Sequence, residues 1–323
     1  MENNKIGQEE LKILFNKHPV ITKNYLIITP VVAQVYEMVR ERVFMRKTGT
    51  FMYASPRIGK TFCARIIKLL LIREFPSIFI LDLIAEAGQR TDKEILGNIL
   101  ESAKLLPPKR SSYQDIQRQL SSHIQSNLAS LEGSQFVLMI DEMQNLSDKN
   151  LDCLAALHNR LKQAGVNMTT IGFAQPEILD VRSSLLASNK SYLIARFLCE
   201  PVSFNGCVSI LDLEKILHDY DEIQHFPEGS EYSFTRFFLP NAYQNGFRLR
   251  KYADEIWKIL KTAAGSYSES IPMEHLSRTI EYLLVASSAF DSDKFKVKSD
   301  LIESAVAASN LAYFSGLLEP TKG

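Results

Sequence analysis

The chain has 323 residues and a mass of 36.6 kDa, enough for about two domains, and its 46% hydrophobic and 23% charged residues are an ordinary globular balance. That excludes a disordered tail, a collagen-like rod and a small disulfide scaffold. Thirty-seven Lys+Arg oppose 37 Asp+Glu, so the formal charge is zero and the chain as a whole is no polycation for nucleic acid; any such contact must come from a local patch. No run reaches the roughly 18 apolar residues of a spanning helix, and Met1-Glu2-Asn3-Asn4-Lys5 opens no secretory signal, which predicts a soluble, cytoplasmic protein. Cys63, Cys153, Cys199 and Cys207 form no C-x-x-C pair and have no histidines at ligand spacing, so neither structural zinc nor disulfides are expected.

In chain order, an irregular segment to about Thr29 leads into an expected helix from Pro30 to about Lys47, with Pro30 suited to a first helical turn. Short apolar runs come next at Phe51–Ala54, Ile78–Leu83, Phe136–Ile140 and Val166–Phe173, each bounded by a turn signal. Between them lie amphipathic stretches: Lys60–Glu74, Asp92–Leu105, Tyr113–Leu131, Asp148–Ala164 and Pro176–Leu186. Strand–helix alternation of this kind argues for an α/β fold, a parallel sheet sandwiched by helices with its chemistry at the carboxyl ends of the strands. After Phe204-Asn205-Gly206 the strand signal fades, and helices are expected near Val208–Tyr220, Arg248–Thr262, Met273–Ser287 and Ser299–Phe314. The expected division is an N-terminal segment and helix over 1–50, an α/β domain over 51–206, and a helical region over 207–323.

The most informative residues are Ala54-Ser55-Pro56-Arg57-Ile58-Gly59-Lys60-Thr61, directly after one strand and directly before a helix. They read as a phosphate-binding loop whose first glycine is replaced by alanine. The chemistry needs a tight turn over Ser55, Pro56, Arg57, Ile58 and Gly59 with backbone N–H groups pointing inward. Gly59 would admit the phosphates closely, Lys60 would reach the β- and γ-phosphates, and Thr61 would sit on Mg2+. Ala54 resists a positive φ, so the turn must be made with its φ negative. A second signal is Phe136-Val137-Leu138-Met139-Ile140-Asp141-Glu142, an apolar strand ending in two acids. Two carboxylates there are costly without a cation or a solvent cleft. The arrangement suits Asp141 to a Mg2+ shell and Glu142 to a water facing the γ-phosphate. Nucleotide binding with ATP and Mg2+ as cofactors is therefore expected, and Glu142 makes hydrolysis credible.

This phosphate loop and I-D-E strand, followed by a helix, a strand and a helical lid, resemble the AAA+ ATPases. Ile140-Asp141-Glu142-Met143-Gln144-Asn145-Leu146, Gly172-Phe173-Ala174-Gln175-Pro176-Glu177 and the early His18-Pro19 and Thr29-Pro30 pairs are similar to the TniB/TnsC branch, ATP-dependent regulators of DNA transposition. The resemblance covers about residues 15–260, and Ala54 is its main departure, bearing on turnover more than on binding. It implies that Gln175 is a polar sensor near the γ-phosphate, with an N-cap before Pro176 as the plainer alternative. It implies an arginine finger presented to a neighbouring subunit by Arg196, with Arg182 as competitor, and a lid sensor in Asn245-Gly246-Phe247-Arg248, where Arg248 would sit in a first helical turn and Arg250 competes. A finger in trans makes hydrolysis depend on assembly, so nucleotide becomes part of a homo-oligomeric interface, ring or filament.

Between Arg40 and Arg73 the bases Arg40, Arg42, Arg46, Lys47, Arg57, Lys60, Arg65, Lys68 and Arg73 face Glu41 alone, up to the acid at 74. The stronger DNA candidates come from the resemblance: helices after the second strand that track the duplex backbone would bring Arg90, Thr91, Lys93, Lys109 and Arg110 to phosphates, with Thr91 a helix N-cap. Phosphate contacts position a protein without reading sequence, so specificity would fall to a target-selection protein or RNA-guided complex that passes the site to a transposase. The apolar Leu283-Leu284-Val285 and Leu311-Ala312-Tyr313-Phe314, and the segment Leu11–Tyr25, read either as lid core or as docking faces. The leading expectation is an ATP-dependent DNA-binding transposition regulator. The alternatives are an AAA+ helicase loader or DNA-remodelling ATPase, and a nucleotide-stabilised scaffold without hydrolysis.

Overall fold

In the computed structural model, residues 13–88, 91–106 and 111–318 are described. They fall into two units. One comprises Val32–Pro56 and Lys60–Phe204; the other comprises the N-terminal segment through Val31, the loop tip Arg57–Gly59, and Asn205 onward.

The first unit is built on a five-stranded parallel sheet: β1 (Gly49–Tyr53), β2 (Ile78–Ile84), β3 (Gln135–Asp141), β4 (Asn167–Ala174) and β5 (Pro201–Ser203), in the order β2-β3-β4-β1-β5. The expected strands occur within about two residues of their sequence bounds. Their near-continuous burial, complete over the first four residues of β1 and all of β3 but its last residue, is what helices on both faces of a parallel sheet produce. Helices Lys60–Glu74, Asp92–Ser102, Tyr113–Ser130, Asp148–Gln163 and Ile178–Ala187 alternate with the strands. Three of their starts are fixed by reciprocal caps, Thr91 with Glu94, Ser112 with Asp115, and Ser147 with Asn150, each satisfying orphan N–H groups of a first turn. Strand register decides which carboxyl ends become neighbours. Tyr53 lies opposite Ala174, and Ile140 opposite Gly172, so β1, β3 and β4 end side by side.

Gly172 in β4 is required by packing. A Cβ there would lie 2.2 Å from Sδ of Met143 and 3.0 Å from Cβ of Phe51. Its absence lets Met143 seat itself under the turn after β3.

The second unit is helical, with its own core around Tyr220, Phe234, Phe238, Ile256, Leu276, Ile280 and Leu283. The N-terminal segment belongs to this core: Leu14, Phe15, Val20, Ile21, Tyr25 and Ile27 pack into it. His18 is fully buried among Phe226, Phe234, Phe237 and Phe238, with ring centroids 4.4–4.9 Å away, while its Nδ1 accepts the N–H of Val20. The Tyr25 hydroxyl meets Tyr220 at 2.6 Å and Glu281 at 2.8 Å, and Lys23 pairs with the same carboxylate. Leu283, Leu284 and Leu311 are core, whereas Tyr313 is 72% exposed. Leu11 lies outside the described residues.

Three expectations are corrected here. The single helix expected over Ser299–Phe314 is two, Ser299–Ala308 and Leu311–Leu318, because Asn310 turns left-handed at φ 61°. Arg248 is extended (φ −147°, ψ 135°) and precedes a tight turn at Leu249–Tyr252 instead of lying in a first helical turn, since the buried carboxylate of Asp221 takes the N–H groups of Leu249 and Arg250. The basic stretch is also neutralised in part, chiefly by acids outside it, with Lys47 meeting Glu41 within it. Arg40 pairs with Glu74, Arg42 with Glu200, Lys47 with Glu41 and Lys68 with Asp82.

Candidate nucleotide site

The ends of β1, β3 and β4 bring together Lys60, Thr61, Asp141, Glu142 and Gln175. β1 continues into Ala54, whose N–H still bonds to Ala174 O at 3.1 Å, and the loop then turns. The positive-φ residues of this turn are Arg57 (φ 64°) and Gly59 (φ 113°), and Ala54 is not one of them. An alanine is therefore tolerated at 54 because the bend lies further on. Arg57 carries a left-handed conformation without being glycine, a cost of about 1 kcal/mol. Within the helical unit its guanidinium lies 3.8 Å from the Glu274 carboxylate and 4.9 Å from the Phe314 ring centroid, and its carbonyl accepts the Glu274 N–H.

Lys60 opens its helix nearly buried, its Nζ donating to the carbonyls of Ala54 at 2.8 Å and Ser55 at 3.0 Å. Burial lowers its pKa, while Glu142, Asp141 and Glu177 act against that shift. An ammonium has three donors, so one is left to a further acceptor. Thr61 Oγ1 donates to Asp141 Oδ2 at 2.7 Å, and Asp141 Oδ1 accepts the Glu142 N–H at 2.9 Å. The Thr61 hydroxyl and Asp141 carboxylate are adjacent hard-oxygen donors. That set fits Mg2+, which takes one or two protein oxygens and completes its shell with water and phosphate. No cluster of three or more His, Cys, Asp or Glu suited to an all-protein metal cage occurs among the described residues.

Glu142 sits on a left-handed bend (φ 53°, ψ 38°), held from below by buried Met143. Its Oε2 accepts from Gln144 Nε2 at 2.5 Å and from Gln175 Nε2 at 3.0 Å, and the Gln175 N–H donates to Gln144 Oε1 at 2.9 Å. The Gln175 side chain is thus turned to the acid and does not cap the following helix. Gln144 stands in the sequence two positions after Glu142, a spacing that gave no sign of its contact.

The other expected residues have local contacts of their own. Arg196, half-buried, donates from Nη1 to Ala155 O at 3.3 Å, and Arg182 donates from Nε to Leu198 O at 3.1 Å, so both candidate fingers are tied to backbone carbonyls. In the helical unit Arg248 donates to Glu222 Oε1 at 2.6 Å and to the carbonyls of Tyr243 and Phe247, with its guanidinium 3.5 Å from the Tyr243 ring centroid. Arg250 Nη1 lies 3.4 Å from His218 Nδ1. Thr91 caps its helix as expected, and Lys93 beside it is exposed. Arg90, Lys109 and Arg110 lie outside the described residues. No helix among the described residues is long and apolar enough to cross a membrane.

Residues 45–181 match the family model described as AAA domain. Among solved structures, the Aeropyrum pernix ORC2 protein (ADPNP-ADP complexes) is similar at 12% identity and a TM-score of 0.58, over 90% of this chain and 71% of that one. Drosophila ORC bound to DNA is similar at 14% identity and a TM-score of 0.55, over 91% and 70%. The Aeropyrum pernix ORC1 protein in complex with DNA is similar at 12% identity and a TM-score of 0.53, over 89% and 68%. No curated protein matches the chain. The five-stranded parallel sheet and the loop after β1 give the AAA+ P-loop fold, and residues 45–181 within it are the part similar to the AAA domain family model.

Proposed function

We propose that the chain is a DNA-associated AAA+ ATPase in which ATP and Mg2+ bind at Ala54–Thr61 and act as a timed switch for assembly. One observation carries this reading: Lys60, Thr61, Asp141, Glu142 and Gln175 converge at the ends of three neighbouring strands. The loop N–H groups between Ser55 and Gly59 would receive phosphate oxygens, and the remaining Lys60 donor would reach the β- and γ-phosphates. Thr61 and Asp141 would hold Mg2+, which when bound neutralises charge on those oxygens. Glu142 would orient and deprotonate the attacking water, and Gln175 would sense the γ-phosphate. Arg196, or Arg182 in its place, would act on the neighbouring subunit, and Arg248 or Arg250 would report from the helical unit.

The DNA half of the proposal is supported by the fold likeness to ORC chains solved with DNA and by the exposed start of the helix at Thr91 and Lys93. With Arg90, Lys109 and Arg110, these residues would hold duplex phosphates without reading bases. Within this frame the narrower role is a transposition regulator that oligomerises on DNA as a ring or filament and links a target-selection protein or RNA-guided complex to a transposase. Its support is the run Ile140–Leu146, the run Gly172–Glu177 and the two early X-Pro pairs. The likeness to ORC chains over nine-tenths of this one favours a second reading, a helicase loader or DNA-remodelling ATPase.

Electron microscopy with ATP, Mg2+ and plain duplex separates them: static assemblies that coat DNA support the first, and DNA-stimulated turnover with translocation supports the second. Glu142→Gln should bind ATP but form DNA-bound assemblies that outlive those of the wild type. Dissociation at the wild-type rate would show that hydrolysis is not the release step.

A further inference from the structure

Gln144 is the side chain that joins the acid at the end of β3 to the end of β4. Its Nε2 donates to Glu142 Oε2 at 2.5 Å, and its Oε1 accepts the backbone N–H of Gln175 at 2.9 Å. The same Oε2 receives Gln175 Nε2 at 3.0 Å. Glu142 Oε1 has no hydrogen-bond partner among the described residues, and Glu142 is only half-buried. We propose that Gln144 is the positioning residue that fixes the Glu142 carboxylate and leaves Oε1 as the oxygen presented to water.

The left-handed bend at Glu142 and the buried Met143 set the direction in which the side chain leaves the backbone, but three rotatable bonds lie between that point and the carboxylate. A base must lie within hydrogen-bond reach of the proton it takes, so those rotations have to be stopped. Two amide donors on one oxygen stop them. The two amides are not equivalent, however. Gln175 is the residue expected to turn its amide to the γ-phosphate, and in doing so it gives up Oε2. Gln144 is anchored at both ends, because its own oxygen is occupied by a backbone N–H that does not move with the Gln175 side chain. It therefore keeps Glu142 in place while the sensor changes partner.

Only an uncharged group that both donates and accepts can do this. A carboxylate at 144 would repel Glu142, and an ammonium could not accept from Gln175.

This inference rests on the ATPase reading above and is tested by Gln144→Met, which keeps length and volume and removes both amide bonds. Single-turnover hydrolysis of ATP with Mg2+ should fall more than about tenfold, while the Kd for ATP and the thermal midpoint stay within about twofold and about 2 °C of wild type. A wild-type single-turnover rate in Gln144→Met, beside a Glu142→Gln variant that has lost hydrolysis, overturns the inference alone. So does a loss of rate matched by an equal loss of ATP affinity, which marks a merely structural role. Failure of the wild type to bind or hydrolyse ATP overturns the ATPase reading and the inference with it.

Discussion

His18 ties the N-terminal segment to the helical unit through a group that burial keeps neutral near pH 7. Four phenylalanine rings enclose it, its Nε2 is buried without a hydrogen-bond partner among the described residues, and burial lowers its pKa from 6.5 to about 3. The folded pKa of this base lies below the unfolded one, so the unfolded chain takes the proton first. Its contribution to stability is complete above pH 6.5 and is lost as the pH falls from 6.5 towards 3. Going from pH 7.5 to pH 5, the linkage amounts to about 2 kcal/mol. The sole tryptophan, Trp257, packs against the core of the same unit and reports its unfolding. Urea titrations followed by Trp257 fluorescence at the two pH values give the free energies by linear extrapolation. His18→Phe removes the titration and loses the cap on the Val20 N–H, a cost of about 1 kcal/mol that is the same at both pH values. The wild type should lose about 2 kcal/mol more than His18→Phe between pH 7.5 and pH 5. Equal losses in the two proteins would refute the reasoning.

Gly172→Ala drives a methyl into Met143 and towards Phe51, so it should cost about 1–3 kcal/mol and lower the thermal midpoint by several degrees, read by circular dichroism. An unchanged midpoint would mean that Met143 moves aside freely. Gly49→Ala should be no milder, because its Cβ would lie 2.6 Å from the carbonyl oxygen of Arg196, a backbone atom without a side chain's freedom. Arg196→Ala should lower hydrolysis about 10²–10³-fold if the residue is a finger, and mixing it with Lys60→Ala should restore part of the activity, since each protein supplies what its neighbour lacks. No recovery in the mixture would exclude action in trans.

The helices Lys60–Glu74 and Met273–Ser288 agree with their sequence bounds to within a residue, because long apolar periodicity, begun after Gly59 in the first and after Pro272 in the second, leaves little choice. Lys60, Thr61, Asp141, Glu142 and Gln175 could be placed together for a similar reason: parallel strands end on one side, and each of these residues comes after an apolar run. The features that escaped the sequence depend on partners remote in the chain. β5 is three residues long and begins with proline, too short to show a period. The charges of Arg40, Arg42 and Lys68 read as a patch until the fold sets Glu74, Glu200 and Asp82 against them. Arg248 and Glu222 are 26 residues apart, and nothing local announces that the guanidinium is held by that carboxylate and by the Tyr243 ring. The left-handed bend at Arg57 is hidden because glycine, the usual sign of such a bend, is absent there.

Calorimetric titration of ATP with Mg2+ into the wild type and Lys60→Ala tests the central claim most directly. Saturable binding near one nucleotide per chain is expected in the wild type, with a loss of affinity of at least about a hundredfold in Lys60→Ala, the equivalent of about 2.7 kcal/mol. Absence of binding by the wild type, or equal affinity in the two proteins, would contradict it.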